Sequence, residues 1–342
     1  MPKPKPLGFR SDDFLRLREL PYLSAWPTDE RAVPVMSYRQ NDGELRTYIQ
    51  WEGDEFIAMR PKDFVQGVYI GQAPHSGGDL LLPLSTLVLR HFSTKFILAR
   101  EREVLADLEN AMSSIHKYFV ILDFSNRGSG FADVPMIRSE IEYAFTNHRS
   151  MFDQLNKLIA ACLRIACPSP KKMPESFADV VKRIEEDLAA ELRLPAPIVA
   201  FYRSRAATFQ LLREVRDDIV HRGHANEHWI FGFPDGFALD VERGFLARLN
   251  PLNVWPNETR RQGSEGLASL LAFFAFVLDD MLTAATQAAQ ALEAAAQSLP
   301  LTIVDGHNVY FRSAVVIHAL KVKRYRKEPW IVPEQGLTLA GE

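Results

Sequence analysis

Residues 136–166 carry Ile137, Ile141, Phe145, Met151, Phe152, Leu155, Leu158, Ile159 and Cys162 at helical spacing, the clearest helix in the chain. Pro168-Ser169-Pro170 follows and ends it, because a proline ring clashes with the preceding turn and withholds a donor. Around this helix, residues 84–299 are mainly helical in pattern. Residues 84–119 read as one helix or two, and 177–192 as a charged amphipathic helix ending before Pro195 and Pro197. A further helix spans 198–222, with Gly223 placed to stop it. The last runs over 264–297 and turns alanine-rich in its second half. Residues 228–242 interrupt the pattern with two strand-like runs around Pro234-Asp235-Gly236, which signals a hairpin.

The two ends differ. Residues 33–40 and 44–51 flank Asn41-Asp42-Gly43 as a hairpin would, and 55–59 and 64–70 add short strands before the Ser76-Gly77-Gly78 loop. Strand character returns over 302–304 and 309–322, and those strands are expected to pair with the N-terminal ones. The sequence therefore predicts a mainly α chain. A helical bundle fills 84–299, with a small hairpin after the 198–222 helix. A β-rich region at 1–83 and another at 300–342, the latter with a basic tail, form appendages.

Composition narrows the setting. With 342 residues, 47% hydrophobic and 24% charged, the chain has an ordinary globular make-up. A net charge of −3 supplies no general basic field, so any nucleic-acid contact must be local. The only two cysteines, Cys162 and Cys167, suit neither a disulfide framework nor a zinc site. They suggest a reducing, cytoplasmic setting. The start, Met1-Pro2-Lys3-Pro4-Lys5-Pro6, lacks the apolar core of a signal peptide. The most apolar stretch, 266–278, is closed by Asp279-Asp280 and falls short of the ~20 residues that span a bilayer, so it reads as a buried helix with no membrane role.

The 198–222 helix carries the chemistry. Its stripe passes through Ile198, Tyr202, Phe209, Leu212 and Ile219, and Arg216 falls on that stripe. A guanidinium there is costly to bury unless an anion meets it. His221 stands in the last turn, where the helix dipole favours its protonated form. Asp217 lies about 40° from His221 around the helix, within reach to orient an imidazole. Arg216 and His221 are about 140° apart, so one chain presents them poorly to one small substrate. Two copies about a twofold axis bring both pairs to a shared cleft.

The run Leu211-Leu212-Arg213-Glu214-Val215-Arg216-Asp217-Asp218-Ile219-Val220-His221-Arg222-Gly223 resembles the HEPN signature, an arginine and a following polar residue ahead of a histidine at the end of a late helix. The resemblance covers roughly 84–299, with 136–166 as the other long helix of such a bundle. It implies a metal-independent endoribonuclease that works as a homodimer and needs no cofactor. In that role His221 moves the proton of a ribose 2′-hydroxyl, Arg216 holds the scissile phosphate, and Asp217 positions them. Products would end in a 2′,3′-cyclic phosphate. The family also implies a toxin, stress or phage-defence setting, with a cognate antitoxin as a possible partner. The alternative is a non-catalytic HEPN bundle that dimerises or binds RNA or protein.

Arg222 and His224 border the expected RNA cleft, and Lys323 and Arg324 belong to the one dense basic run, Lys321-Val322-Lys323-Arg324-Tyr325-Arg326-Lys327. That run suits a nucleic-acid backbone, or a guarded strand edge. Asp217, His221, His224 and His228 have spacings that a metal accepts, which gives a third reading as a metal-dependent hydrolase, but Gly223 breaks the helix between them. His148 reads as a core histidine with a satisfied hydrogen bond, and Arg203 and Arg205 as solvated or bridging acidic groups. The chain has no phosphate-cradling glycine loop and no nucleophile elbow.

Overall fold

Two units make up the chain in the computed structural model, Met1–Ser93 with Pro300–Ile317, and Thr94–Leu299 with His318–Glu342. The described residues are 94–128, 133–166, 173–186, 188–221, 229–264, 266–296, 322 and 324–330, a few positions between 84 and 92, and the backbone of the strands of the first unit.

Those strands are β1 (Val33–Val35), β2 (Ser37–Arg39), β3 (Leu45–Glu52), β4 (Glu55–Met59) and β5 (Val65–Gly71), joined by the late strand Asn308–Ser313. They form two antiparallel three-stranded sheets. In one, β3 lies between β2 and β4, with Tyr38 opposite Arg46 and Ile49 opposite Ile57. In the other, β5 lies between β1 and Asn308–Ser313, with Tyr69 opposite both Pro34 and Tyr310. Residues 300–342, expected as one region, are shared between the two units.

The second unit is mainly helical, with one small antiparallel sheet. Its first helix, α1 (Lys95–Asn126), starts where the Thr94 hydroxyl accepts from the Ile97 amide at 3.3 Å, satisfying one of the free N–H groups at the helix start. Helix α2 (Asp133–Ala166) runs antiparallel to it. Polar cross-links fix that pairing: Ser125 to Asp133 at 2.6 Å near the turn, then Ser114 and Lys117 to Glu140 at 2.8 and 2.9 Å.

The expected 177–192 helix is two pieces, α3 (Phe177–Glu185) and α4 (Ala189–Leu192), the second closed by Arg193 in the left-handed region at φ 50°. Helix α5 (Ala196–His221) follows, and β6 (Ile230–Phe233) and β7 (Gly236–Asp240) make the hairpin at Pro234-Asp235. A 3-10 helix, Gly244–Leu252, comes next and had no clear signal in the sequence.

The last helix differs from expectation at its start. Ser264 and residues 266–269 are not helical. Leu267–Ser269 instead forms β8, pairing with β7, and α6 runs over Leu270–Ala296. Gly266, at φ 82°, turns the chain into that strand. The Ser269 hydroxyl then accepts from the Leu271 amide at 3.1 Å and starts the helix.

Helix α6 is the centre of the unit, packed against α1, α2 and α5. Phe273, Phe274, Val277, Leu278, Met281, Leu282, Ala285 and Ala288 are all buried. Its apolar run does not close at Asp279-Asp280 as expected, because Asp280 is buried and ion-paired and the alanines continue the face. By length and composition Leu270–Ala295 is therefore long and apolar enough to cross a membrane, yet 78% of its most apolar stretch is buried within this unit. An aromatic cluster ties α2, α3 and α5 together, with Phe177 at 4.9 Å from Phe152, 4.8 Å from Phe209 and 5.0 Å from Tyr202. Cys162 is a buried free thiol that burial pushes up to about 12.

The hairpin is locked from several sides. The Tyr118 hydroxyl accepts from the Phe237 amide at 3.1 Å, and Asn126 donates to the Pro234 carbonyl at 2.9 Å. Gly236 sits at φ 148°, and a Cβ there would fall 2.6 Å from the Tyr118 oxygen, so only glycine fits. Arg261 pairs with Asp235 at 2.8 Å while stacking on Phe233 and Trp330.

Burial raises the phenols of Tyr118 and Tyr202 well above their ordinary value. The unfolded chain releases those protons at about pH 10 while the folded one keeps them. Stability contributed by these groups is therefore fully present below about pH 10 and is lost as pH rises above it. Denaturant titrations at pH 8 and pH 11 should show this loss, and Tyr202→Phe should shrink the difference between the two pH values.

Candidate functional site

The motif helix presents Arg216 among buried neighbours, as its place on the stripe requires. Leu212, Val215 and Ile219 are buried, and the Arg216 side chain is only 19% exposed. Its Nη1 donates to Asp217 Oδ1 at 2.8 Å. Its Nε is buried and has no hydrogen-bond partner among the described residues. A buried N–H left open costs about 1–3 kcal/mol, so an acceptor that reached this Nε would stabilise the guanidinium. Asp217 also lies 3.8 Å from Arg213 Nε, and at 39% exposed it is open to solvent.

Asp218, next in sequence, points elsewhere. It is buried and ion-paired to Arg248 on the 3-10 helix Gly244–Leu252. Arg248 also lies 3.8 Å from Glu214. The two adjacent carboxylates thus serve different arginines, Asp217 with Arg213 and Arg216, Asp218 with Arg248.

His221 is the last residue of α5, so the helix places its backbone about 40° from Asp217 and about 60° from Asp218. Arg216 remains about 140° away on the same continuous helix. The His221 side chain is outside the described residues, as are Arg222, His224, His228 and Lys323. No group of three or more His, Cys, Asp or Glu side chains among the described residues is placed to hold a metal.

Arg324 is described, and its surroundings correct the strand reading of the basic run. Arg324–Arg326 is a single 3-10 turn. Tyr325 is buried against Phe119 of α1 at 5.7 Å. Arg326 donates to the Asn253 carbonyl at 3.0 Å and covers Phe276 of α6, and burial lowers its pKa. Packing on α1 and α6 holds the turn, because one aromatic and one long basic side chain can each bury their apolar parts there. Arg324 itself is exposed, its guanidinium over the Tyr325 ring.

A second polar constellation lies in the core between α2, α5 and α6. His148 Nε2 is 2.9 Å from Asp280 Oδ2, Arg205 Nη1 donates to Asp280 Oδ1 at 3.0 Å, and Arg205 Nε donates to Gln287 at 2.7 Å. His148 is thus a core histidine with its hydrogen bond satisfied, and Arg205 bridges to an acid. Neither the Asp280 partner nor Arg248 was visible in the sequence. The available signals were weak: a histidine on an apolar stripe, an acid inside an apolar run, and an isolated arginine in a segment without periodicity.

No protein-family model, curated protein or solved structure matches this chain.

Proposed function

We propose that the helical unit is a HEPN-type, metal-independent endoribonuclease working as a homodimer, with Arg216 and His221 at its centre. One observation carries the reading: a largely buried arginine on an apolar helix face has no partner for its Nε among the described residues, ahead of a histidine at the helix end. An RNA phosphate supplies an acceptor for the open Nε of this arginine, and the phosphate's charge grows as the bond breaks. His221 takes the proton from the 2′-hydroxyl, whose oxygen attacks the phosphorus and expels the 5′-oxygen of the next nucleotide, which leaves as a hydroxyl by taking a proton from water. Asp217, already on Arg216, holds that guanidinium in place. Arg222, His224, Lys323 and Arg324 are proposed contacts to the RNA backbone.

In this reading the bundle is HEPN-like, the β-rich ends are appendages, and the cytoplasmic setting is toxin, stress or phage defence with a cognate antitoxin as partner. No cofactor takes part. A second reading has its own support. Asp217 already neutralises Arg216, and Arg248 neutralises Asp218, which also suits a non-catalytic bundle that dimerises or binds RNA or protein.

RNA cleavage in EDTA separates them. Wild type is expected to leave 2′,3′-cyclic phosphate ends, and His221→Ala to lose at least about 100-fold in rate. Equal rates in the two proteins, or complete dependence on added metal, would remove the assignment.

A further inference from the structure

Arg248 stands on the 3-10 helix Gly244–Leu252, which packs on α5. Phe245, Leu246 and Leu249 are buried and set the register of that helix, and Trp229 meets Phe245 edge-on at 5.3 Å. Asn250 donates to the Val241 carbonyl at 2.9 Å, and Asn253 closes the segment in the left-handed region. These contacts leave Arg248 little choice of position. Its Nε donates to the Phe245 carbonyl at 3.4 Å, and its Nη2 grips the buried carboxylate of Asp218.

Asp218 is one turn from the end of α5. Helix ends fray because their last carbonyls lack partners in the helix, so the final turn is the least held part of such a site. On the helix circle, position 221 is about 60° from 218, whereas Arg216 is about 160° from it. Among the described residues of one chain, the guanidinium anchored through Asp218 on the side of position 221 is that of Arg248.

We infer that Arg248 is a positioning residue of this site: through Asp218 it clamps the last turn of α5 and fixes where position 221 is presented. The inference takes its functional meaning from the nuclease reading, but the clamp itself is a physical claim about one helical turn. Lysine keeps the charge at 248 but not the planar fork that holds both the carboxylate and a backbone carbonyl, so it restores the clamp only in part.

Hydrogen exchange on the full chain tests it with wild type, Arg248→Ala and Arg248→Lys. Amides 219–221 should exchange about ten-fold faster in Arg248→Ala, and less so in Arg248→Lys, while amides 205–212 stay unchanged. If Arg248→Ala does not fold, Arg248→Lys carries the comparison. An unchanged last turn, or equal acceleration along all of α5, overturns the inference. Where wild type cleaves RNA, the same variants should lower kcat about 100-fold or less with KM unchanged, as misplacement of a reacting group does. A raised KM at constant kcat would make Arg248 an RNA contact and also overturn it. Wild type inert towards RNA sinks the nuclease reading and leaves the exchange result to decide the clamp.

Discussion

Asp280→Ala should lower the unfolding free energy of the helical unit by about 3–5 kcal/mol, the cost of breaking a buried ion pair from one side. The Asp280 side chain is 7% exposed and that of Arg205 13%, so water reaches neither well. Removing the carboxylate strands the Arg205 guanidinium between α5 and α6 and takes from His148 its hydrogen-bond partner. Arg205→Ala should cost less, because Arg205 reaches the edge of the core and Asp280 keeps His148. Urea unfolding of both single variants and the double variant measures this. A strong coupling is expected, with the double variant less destabilised than the sum of the two singles. A loss below about 1 kcal/mol in Asp280→Ala would mean that water enters the network, contrary to its burial.

Arg216→Leu should move stability and activity in opposite directions. Leucine matches the stripe of Leu212, Val215 and Ile219, and it removes the open buried Nε. The lost contact to Asp217 is worth little, because that carboxylate is 39% exposed. Unfolding free energy should therefore rise by about 1 kcal/mol. RNA cleavage should fall by about 100- to 1000-fold, the usual cost of removing a donor aimed at developing charge. Stability gained at the expense of activity is the mark of a residue kept for function. Were Arg216 a structural ion-pair partner, the same substitution would destabilise the protein and leave any activity near wild type.

Much of the helical framework could be read from the sequence because amphipathic spacing is local. Helix α2 begins within three residues of its expected start, and α5 within two. The β6–β7 hairpin was readable for the same reason, since Pro234-Asp235-Gly236 specifies a turn wherever it occurs. Strand β8 was not: Leu267–Ser269 is apolar enough for a helix and becomes a strand only because β7 offers it an edge. The tail misled in a similar way, as the buried contact of Tyr325 with Phe119 is set by a partner far back in the chain.

The candidate site divides along the same line. Arg216 stood out because a charge on an apolar stripe is a local anomaly. That its Nε lacks a partner depends on what packs around it, which no spacing reveals. Asp218 carries no local mark that sets it apart in the run 211–223. Its burial under Arg248 follows from the path of Gly244–Leu252, a segment with no period to read. His148 and Asp280 come from helices more than a hundred residues apart, each unremarkable alone.

The separation of about 140° between Arg216 and His221 on one helix makes the two-chain site the central claim. Mixing Arg216→Ala with His221→Ala, each inactive alone, tests it most directly. If subunits exchange freely, about half the dimers are mixed and each holds one intact Arg216–His221 pair across the interface. RNA cleavage should then return to about a quarter of the wild-type rate. A mixture as inactive as its two components, under conditions where exchange is verified by mass, would contradict a site shared between two chains.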